Sequence, residues 1–241
     1  MTQPPPPTHP PNPTTPKMRP QLSPTLLTTL FTSLTRPTTK WTLHRTLKSD
    51  NPLDINGDLH GTATFTPLPT SKSNTNPSTN TQNPPPPSTQ DLLYHEEGEM
   101  PAPPGLRANL GVGVGLRFTK KYIWRLSEAG IISVWFAKVG NGEDGPDYLF
   151  HEFEFREEGQ SPGEGDKEGE TFVDAPMPPL VDGEDTVVLR ARGNHLCIND
   201  MYRTAYAFRV RGEGEVVSWA SRHVVKGPKK DQDIVNFYQV G

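Results

Sequence analysis

With 241 residues, a net charge of −4 and a mean hydropathy of −0.65, the chain can hold one large domain or two small ones. The mild acidic balance leaves no basic stripe to attract nucleic acid, and no apolar run approaches the roughly 20 residues that span a bilayer. A single cysteine cannot form an internal disulfide, which fits a reducing compartment and a cytoplasmic protein.

Composition is uneven along the chain. Nineteen of the 28 prolines fall in the first 90 residues, whereas the four tryptophans lie at or after Trp41. Proline- and threonine-rich segments without large apolar groups cannot offset the entropy of ordering. Residues 1–21 therefore read as a disordered tail and residues 22–241 as one domain. Pro4-Pro5-Pro6-Pro7 favours polyproline II, a conformation that a polyproline-binding partner could recognise. The N-terminus has no basic region followed by an apolar stretch, so it does not read as a secretory signal.

A helix is expected next. Ser23 suits the N-cap and Pro24 the first helical position, and Leu26, Leu27, Leu30, Phe31 and Leu34 recur on one face. Pro37 ends it. The period then changes to two. Trp41, Leu43 and Arg45 alternate with Thr42, His44 and Thr46, and Gly61, Ala63 and Phe65 alternate with threonines, so both segments read as strands. Residues 68–90 form a low-complexity insertion ending in Pro84-Pro85-Pro86-Pro87, tolerable as a surface loop because closure entropy grows slowly with length. Further strands are expected over 91–97, 116–126, 131–138, 148–156, 186–192, 194–198, 202–210, 215–225 and 234–240, with a second insertion at 157–185. Tight turns separate several of them. The fold class is all-β: an antiparallel barrel of about eight to ten strands, wide enough for a small ligand.

Several motifs appear in order: Trp41-Thr42-Leu43-His44-Arg45, Gly61-Thr62-Ala63-Thr64-Phe65, Tyr94-His95-Glu96-Glu97-Gly98, Tyr122-Ile123-Trp124-Arg125, Phe150-His151, His195-Leu196-Cys197-Ile198-Asn199-Asp200-Met201-Tyr202 and Gly227-Pro228-Lys229-Lys230-Asp231. In this series the chain resembles the family known as domain of unknown function 6314, whose bacterial and fungal members are placed among the calycins, the lipocalin-like barrels. The resemblance covers about residues 30–241. It implies a barrel with a central cavity, and it supplies neither ligand nor reaction. The chain departs from the family pattern at inserted stretches over 68–90, 101–115 and 157–185, and has Thr39 or Lys40 where a glycine precedes the first tryptophan.

Candidate chemistry gathers at few places. His195 and Cys197 share a strand face. Such a pair can activate a thiolate or contribute to a metal site, but no third partner or metal-ligand spacing completes it; the plainer reading is a small buried thiol beside a hydrogen-bonded imidazole. Arg45, on the face of Trp41, and Arg125, facing away from Trp124, need carboxylates if buried, and Glu96 or Asp200 could supply them. With Tyr94 and Tyr202 they make either an anion- or carbonyl-binding cavity or a structural ion pair. His151 shares a face with Phe153 and Phe155. Because some calycins bind haem through one histidine, His151 or His195 is also a possible axial ligand. Lys229 could guard a cavity mouth. The glycine-rich run Gly111-Val112-Gly113-Val114-Gly115 lacks the phosphate-loop lysine and reads as a turn.

The leading expectation is binding of a small molecule inside the barrel, with Trp41, Arg45, Tyr94, Glu96, Arg125, His151, His195, Cys197, Asp200, Tyr202 and Lys229 as candidate contacts. Arg45→Ala and His195→Ala are then expected to weaken binding without unfolding the chain. Two other classes stay open: a barrel enzyme using Arg/Glu/Tyr acid–base chemistry, and an interaction protein acting through its proline-rich segments.

Overall fold

The computed structural model describes residues 22–36, 40–51, 54–69, 89–100, 116–138, 145–156, 173–183, 185–228 and 230–241. The expected proline tail, Pro37, the run 111–115 and Lys229 lie outside the described residues, as does most of the expected loop over 68–90.

The N-terminal helix forms where the sequence places it. Helix α1 (Pro24–Ser33) starts with the Leu26 amide donating to the Ser23 side chain at 3.2 Å and with proline in its first turn. Its apolar stripe buries Leu27, Leu30 and Phe31. Eleven strands follow among the described residues: β1 (Trp41–Ser49), β2 (Gly57–Pro67), β3 (Gln90–Met100), β4 (Leu116–Leu126), β5 (Ile132–Ala137), β6 (Pro146–Glu152), β7 (Glu154–Arg156), β8 (Val187–Cys197), β9 (Asp200–Arg211), β10 (Glu215–Lys226) and β11 (Asp231–Val240). They make one antiparallel sheet in the order β6-β5-β4-β3-β2-β1-β11-β10-β9-β8-β7.

The two ends of that sheet are consecutive in sequence, which almost closes it into a barrel. The segment 146–156 pairs with β5 through Leu149, His151 and Glu152, then with β8 through Glu154, Phe155 and Arg156. At the changeover the Phe153 amide donates to the Ile132 carbonyl at 2.8 Å. Counted as one passage, this segment gives ten strands, the upper end of the sequence expectation. Conversely, the strands expected over 186–192 and 194–198 are one. Gly193 does not break the chain; it sits opposite Thr204 in a continuous ladder. It is glycine because β6 presses against it: a Cβ there would lie 2.7 Å from His151 Cδ2 and 2.8 Å from the Glu152 carbonyl oxygen. Gly193→Ala is expected to destabilise the protein by about 1–3 kcal/mol through overpacking of this seam, measurable as a shift in the urea midpoint at constant slope.

The barrel core alternates as strand periodicity requires. Trp41, Leu43, Ala63, Phe65, Leu92, Tyr94, Trp124 and Trp219 point inward and are buried. Rings meet edge to face across it, with Trp124 5.1 Å from Phe65 and 5.8 Å from Trp219, a geometry that adds to simple area burial. Helix α1 lies across one barrel end. Leu27 reaches the β4–β5 turn at Gly130, and Leu26 reaches the β9–β10 turn at Gly214. Two hydrogen bonds fasten the helix: Trp41 Nε1 donates to the Leu34 carbonyl at 3.2 Å, and the Val216 amide donates to Ser33 Oγ at 2.9 Å.

Residues 173–181, within the insertion expected at 157–185, run extended along the outside of β8, β9 and β10. Arg209 donates to the Pro178 and Pro179 carbonyls, Ser218 to Pro179, and Arg190 to Ala175. Ala175 packs on Ala205 and Ala207. Arg190 and Arg209 thus find backbone acceptors instead of solvent, which sequence periodicity alone does not reveal.

Candidate functional site

The interior below α1 is filled by aromatic rings, and beyond them the barrel holds a cavity of about 240 Å³. Its position follows from register. On β4 the inward phase set by Trp124 continues through Tyr122 to Lys120, and these lie opposite Leu92, Tyr94 and Glu96 of β3. On β11 the inward residues are Ile234, Asn236 and Tyr238, with Asn236 opposite Arg45 and Tyr238 opposite Leu43. Rings from Tyr122, Phe136, Phe150, Tyr202 and Tyr206 form the walls. Lys120, Phe136, Tyr202, Val225 and Gln232 lie toward the strand ends remote from α1, so the cavity opens away from the helix.

One polar chain crosses this aromatic interior. Arg45 Nη1 and Nη2 donate to Glu96 Oε1 and Oε2, both at 2.8 Å, and Arg45 Nε donates to Asn236 Oδ1 at 2.5 Å. Guanidinium can only donate, so the Asn236 amide nitrogen is left to face Ser221 Oγ, 2.8 Å away. The serine proton is then free for His223 Nε2, 3.1 Å distant. On the other side, Tyr94 donates to Glu96 Oε2 at 2.5 Å, and the 2.9 Å contact between the Tyr94 and Tyr238 hydroxyls is donated by Tyr238. Lys120 Nζ stands 4.0 Å from Glu96 Oε1.

The charges follow from this wiring. Burial opposes ionisation of both Arg45 and Glu96, but each offsets the other: Arg45 stays charged, and its charge and hydrogen bonds hold Glu96 below the usual carboxylate range. Burial and the Glu96 charge push the Tyr94 phenol well above its ordinary value. His223 is lowered to about 3 by burial, helped by the positive charges of Arg45 and Lys120. Desolvation and Arg45 lower Lys120 to about 8 against the pull of Glu96. The Lys120 side chain keeps 45% of its surface accessible at the cavity mouth, so water damps that depression without reversing it.

Of the residues expected from sequence, Arg45, Tyr94, Glu96 and Tyr202 line the cavity. Trp41 lies deeper, in the core against Trp219, with ring centroids 6.5 Å apart. Arg125 faces outward, paired with Asp91 at 2.7 Å and resting on Trp135. Asp200 holds Lys230 at 2.9 Å, and Lys230 donates to the Tyr202 hydroxyl at 2.9 Å. These two contacts place Lys230 beside the mouth. His195 does not line the cavity; its ring packs on Phe150 at 5.4 Å with Nε2 buried and unpaired. Burial lowers the His195 imidazole, so it provides no cationic partner for a thiolate at Cys197, which is also absent from the lining.

His151 is enclosed in the β6–β8 seam between Phe150, Phe153 and Tyr206, with ring centroids 4.5, 5.7 and 5.5 Å away. Neither of its ring nitrogens has a partner, and burial holds it well below its ordinary value. Neither His151 nor His195 presents a nitrogen to the cavity, and a void of about 240 Å³ is too small for a porphyrin, so the residues present do not fit haem. Among the described residues no group of three or more His, Cys, Asp or Glu side chains is placed to hold a metal, and no helix is long and apolar enough to cross a membrane.

Sequence reasoning missed Lys120, Tyr122, Ser221, His223, Asn236 and Tyr238. For the first two a signal existed: they continue the phase of Trp124, whereas Arg125 is out of phase. The residues of β10 and β11 enter only through register with β1, which no single strand encodes.

No curated protein and no solved structure matches the chain. A family model does, over residues 38–240, which span the barrel from just before β1 to the end of β11. The chain therefore belongs to DUF6314, a family of unknown function.

Proposed function

We propose that the barrel binds a small, largely aromatic molecule bearing one carbonyl or carboxylate group. The observation that carries this reading is the cavity itself. Its walls are rings, and its polar end offers one positive charge beyond the internally neutralised Arg45–Glu96 pair, that of Lys120. Rings enter between rings in offset or edge-to-face contact, and an acceptor oxygen turned toward Lys120 would complete the electrostatics. The volume of about 240 Å³ falls just below the roughly 300 Å³ at which drug-sized pockets begin, so one or two fused rings fit better than a lipid tail. A helix-plugged antiparallel barrel with one open end also supports the calycin-like assignment.

The enzyme alternative draws on the same convergence of Arg45, Glu96 and Tyr94. Their mutual pairing argues against it: Glu96 is held ionised and Tyr94 protonated, so neither exchanges a proton near neutrality. The proline-rich tail supports the third class only through its composition.

The test is native mass spectrometry of protein purified from its own source, joined to titration of tryptophan fluorescence with benzoate and naphthoate. Trp124 and Trp219 line the cavity and will report occupancy. A saturable change is expected, abolished by Val225→Phe, which fills the mouth. No co-purifying mass and no saturable change with either acid would overturn the reading.

A further inference from the structure

We propose that Lys120 is a covalent anchor for this ligand, its amine condensing reversibly with an aldehyde or ketone group to give an imine. The proposal rests on the cavity-binding reading and names the functional group that the cavity would select.

Geometry singles out this lysine. It is the inward member of its strand at the mouth, in phase with Tyr122 and Trp124 and with its amine end still open to solvent, while Lys121 beside it points outward. Lys230, also near the mouth, is committed to Asp200 and Tyr202, and the hydrogen bonds it donates to those groups raise it. Lys120 has only a loose contact with Glu96, 4.0 Å away, because both carboxylate oxygens already accept from Arg45. The charged groups facing it are Arg45 and Glu96, with the neutral His223 across the cavity. Apolar surroundings and a neighbouring cation are the conditions under which a lysine becomes a nucleophile at moderate pH.

The step balances without an oxidant or reductant. The ammonium first releases a proton to water at the mouth. The Nζ lone pair adds to the carbonyl carbon, the C=O π electrons pass to oxygen, and one proton moves from the nitrogen to that oxygen to give a carbinolamine. Departure of the hydroxyl as water, with loss of the remaining nitrogen proton, leaves C=N. Hydrolysis reverses each bond change. The aromatic walls hold the ring of the ligand while the carbonyl stays near the mouth, where the released water can leave.

The full-length protein is incubated with benzaldehyde or naphthaldehyde and cyanoborohydride, which reduces an imine to a stable secondary amine, and the modified lysines are mapped by peptide mass spectrometry. Labelling of Lys120 is expected to be at least about tenfold faster than that of Lys121 near pH 7, because the ring-lined cavity holds the aldehyde beside the Lys120 amine alone. It should slow when benzyl alcohol or naphthylmethanol competes for the cavity. In Lys120→Arg, which keeps the charge, the fast labelling disappears. Equal labelling of Lys120 and Lys121, with the alcohols still changing tryptophan fluorescence saturably, would overturn the imine and leave cavity binding standing. Equal labelling with no fluorescence response would overturn both.

Discussion

Replacing Glu96 by leucine will destabilise the barrel by about 3–5 kcal/mol, the range for removing one partner of a buried ion pair. Glu96 is 1% exposed and Arg45 5%, and the guanidinium left behind cannot shed its proton or reach bulk water. It would keep Asn236 as a neutral partner, and the Tyr94 hydroxyl would keep only its contact with Tyr238. The double variant Arg45→Met/Glu96→Leu should recover most of the loss, since apolar side chains of similar volume satisfy the same space without a desolvation penalty. Urea melts of the singles and the double separate these contributions. A single Glu96→Leu variant within about 1 kcal/mol of the parent would sink the buried-charge account. The same geometry revises the expectation for Arg45→Ala: truncation strands the Glu96 carboxylate and lowers stability, so that variant cannot report on ligand binding alone.

Lowering the pH from 7 to 5 will remove on the order of 2–4 kcal/mol of stability, with two buried histidines as the source. Desolvation holds His151 and His223 below the ordinary histidine value in the folded protein. The unfolded chain therefore binds more protons throughout the window between the folded values and about 6.5. Stability is complete above that unfolded value and is lost as pH falls. Glu96 contributes in a separate, lower window: its folded value is depressed, so its stabilisation is present above the unfolded carboxylate value of about 4.3 and is lost only as pH falls through the folded one. His151→Leu should remove roughly half of the drop between pH 7 and 5, since it deletes one of the two fully buried imidazoles, and His195, which burial also lowers, is only half-buried and adds less. Imidazole proton resonances of His151 that titrate near 6.5 in the folded protein would refute the assignment.

The elements most legible in the sequence were those with an unambiguous local pattern. Ser23-Pro24 followed by a leucine stripe gave α1 almost residue for residue, and strict alternation from Trp41 to Arg45 put Arg45 on the face of Trp41, which proves to be the inward one. The split at Gly193 failed because a glycine chosen for close approach looks, in one dimension, like a glycine chosen for a turn. The broken passage at Phe153 failed for the opposite reason: no turn residue marks it, and the change of partner is dictated by closure of the whole sheet. Site residues followed the same logic. Arg45, Tyr94, Glu96 and Tyr202 stand in phase with large aromatic neighbours and reached the cavity. His195 and Cys197 drew attention through reactivity and lie outside the cavity lining. Lys120 carries no local mark beside Lys121, and only the cross-strand position opposite Glu96 gives it meaning.

Among the described residues helix α1 gives the barrel a floor, and a vessel with a floor and one opening has a single doorway. Whatever occupies it must retreat along its path of arrival before a successor is admitted. A second molecule could join the first only by stacking on top, imprisoning the one beneath until it withdrew. Exchange between two occupants would then be strictly sequential, and chase experiments should show the incoming molecule failing to accelerate departure of the resident, however concentrated it is.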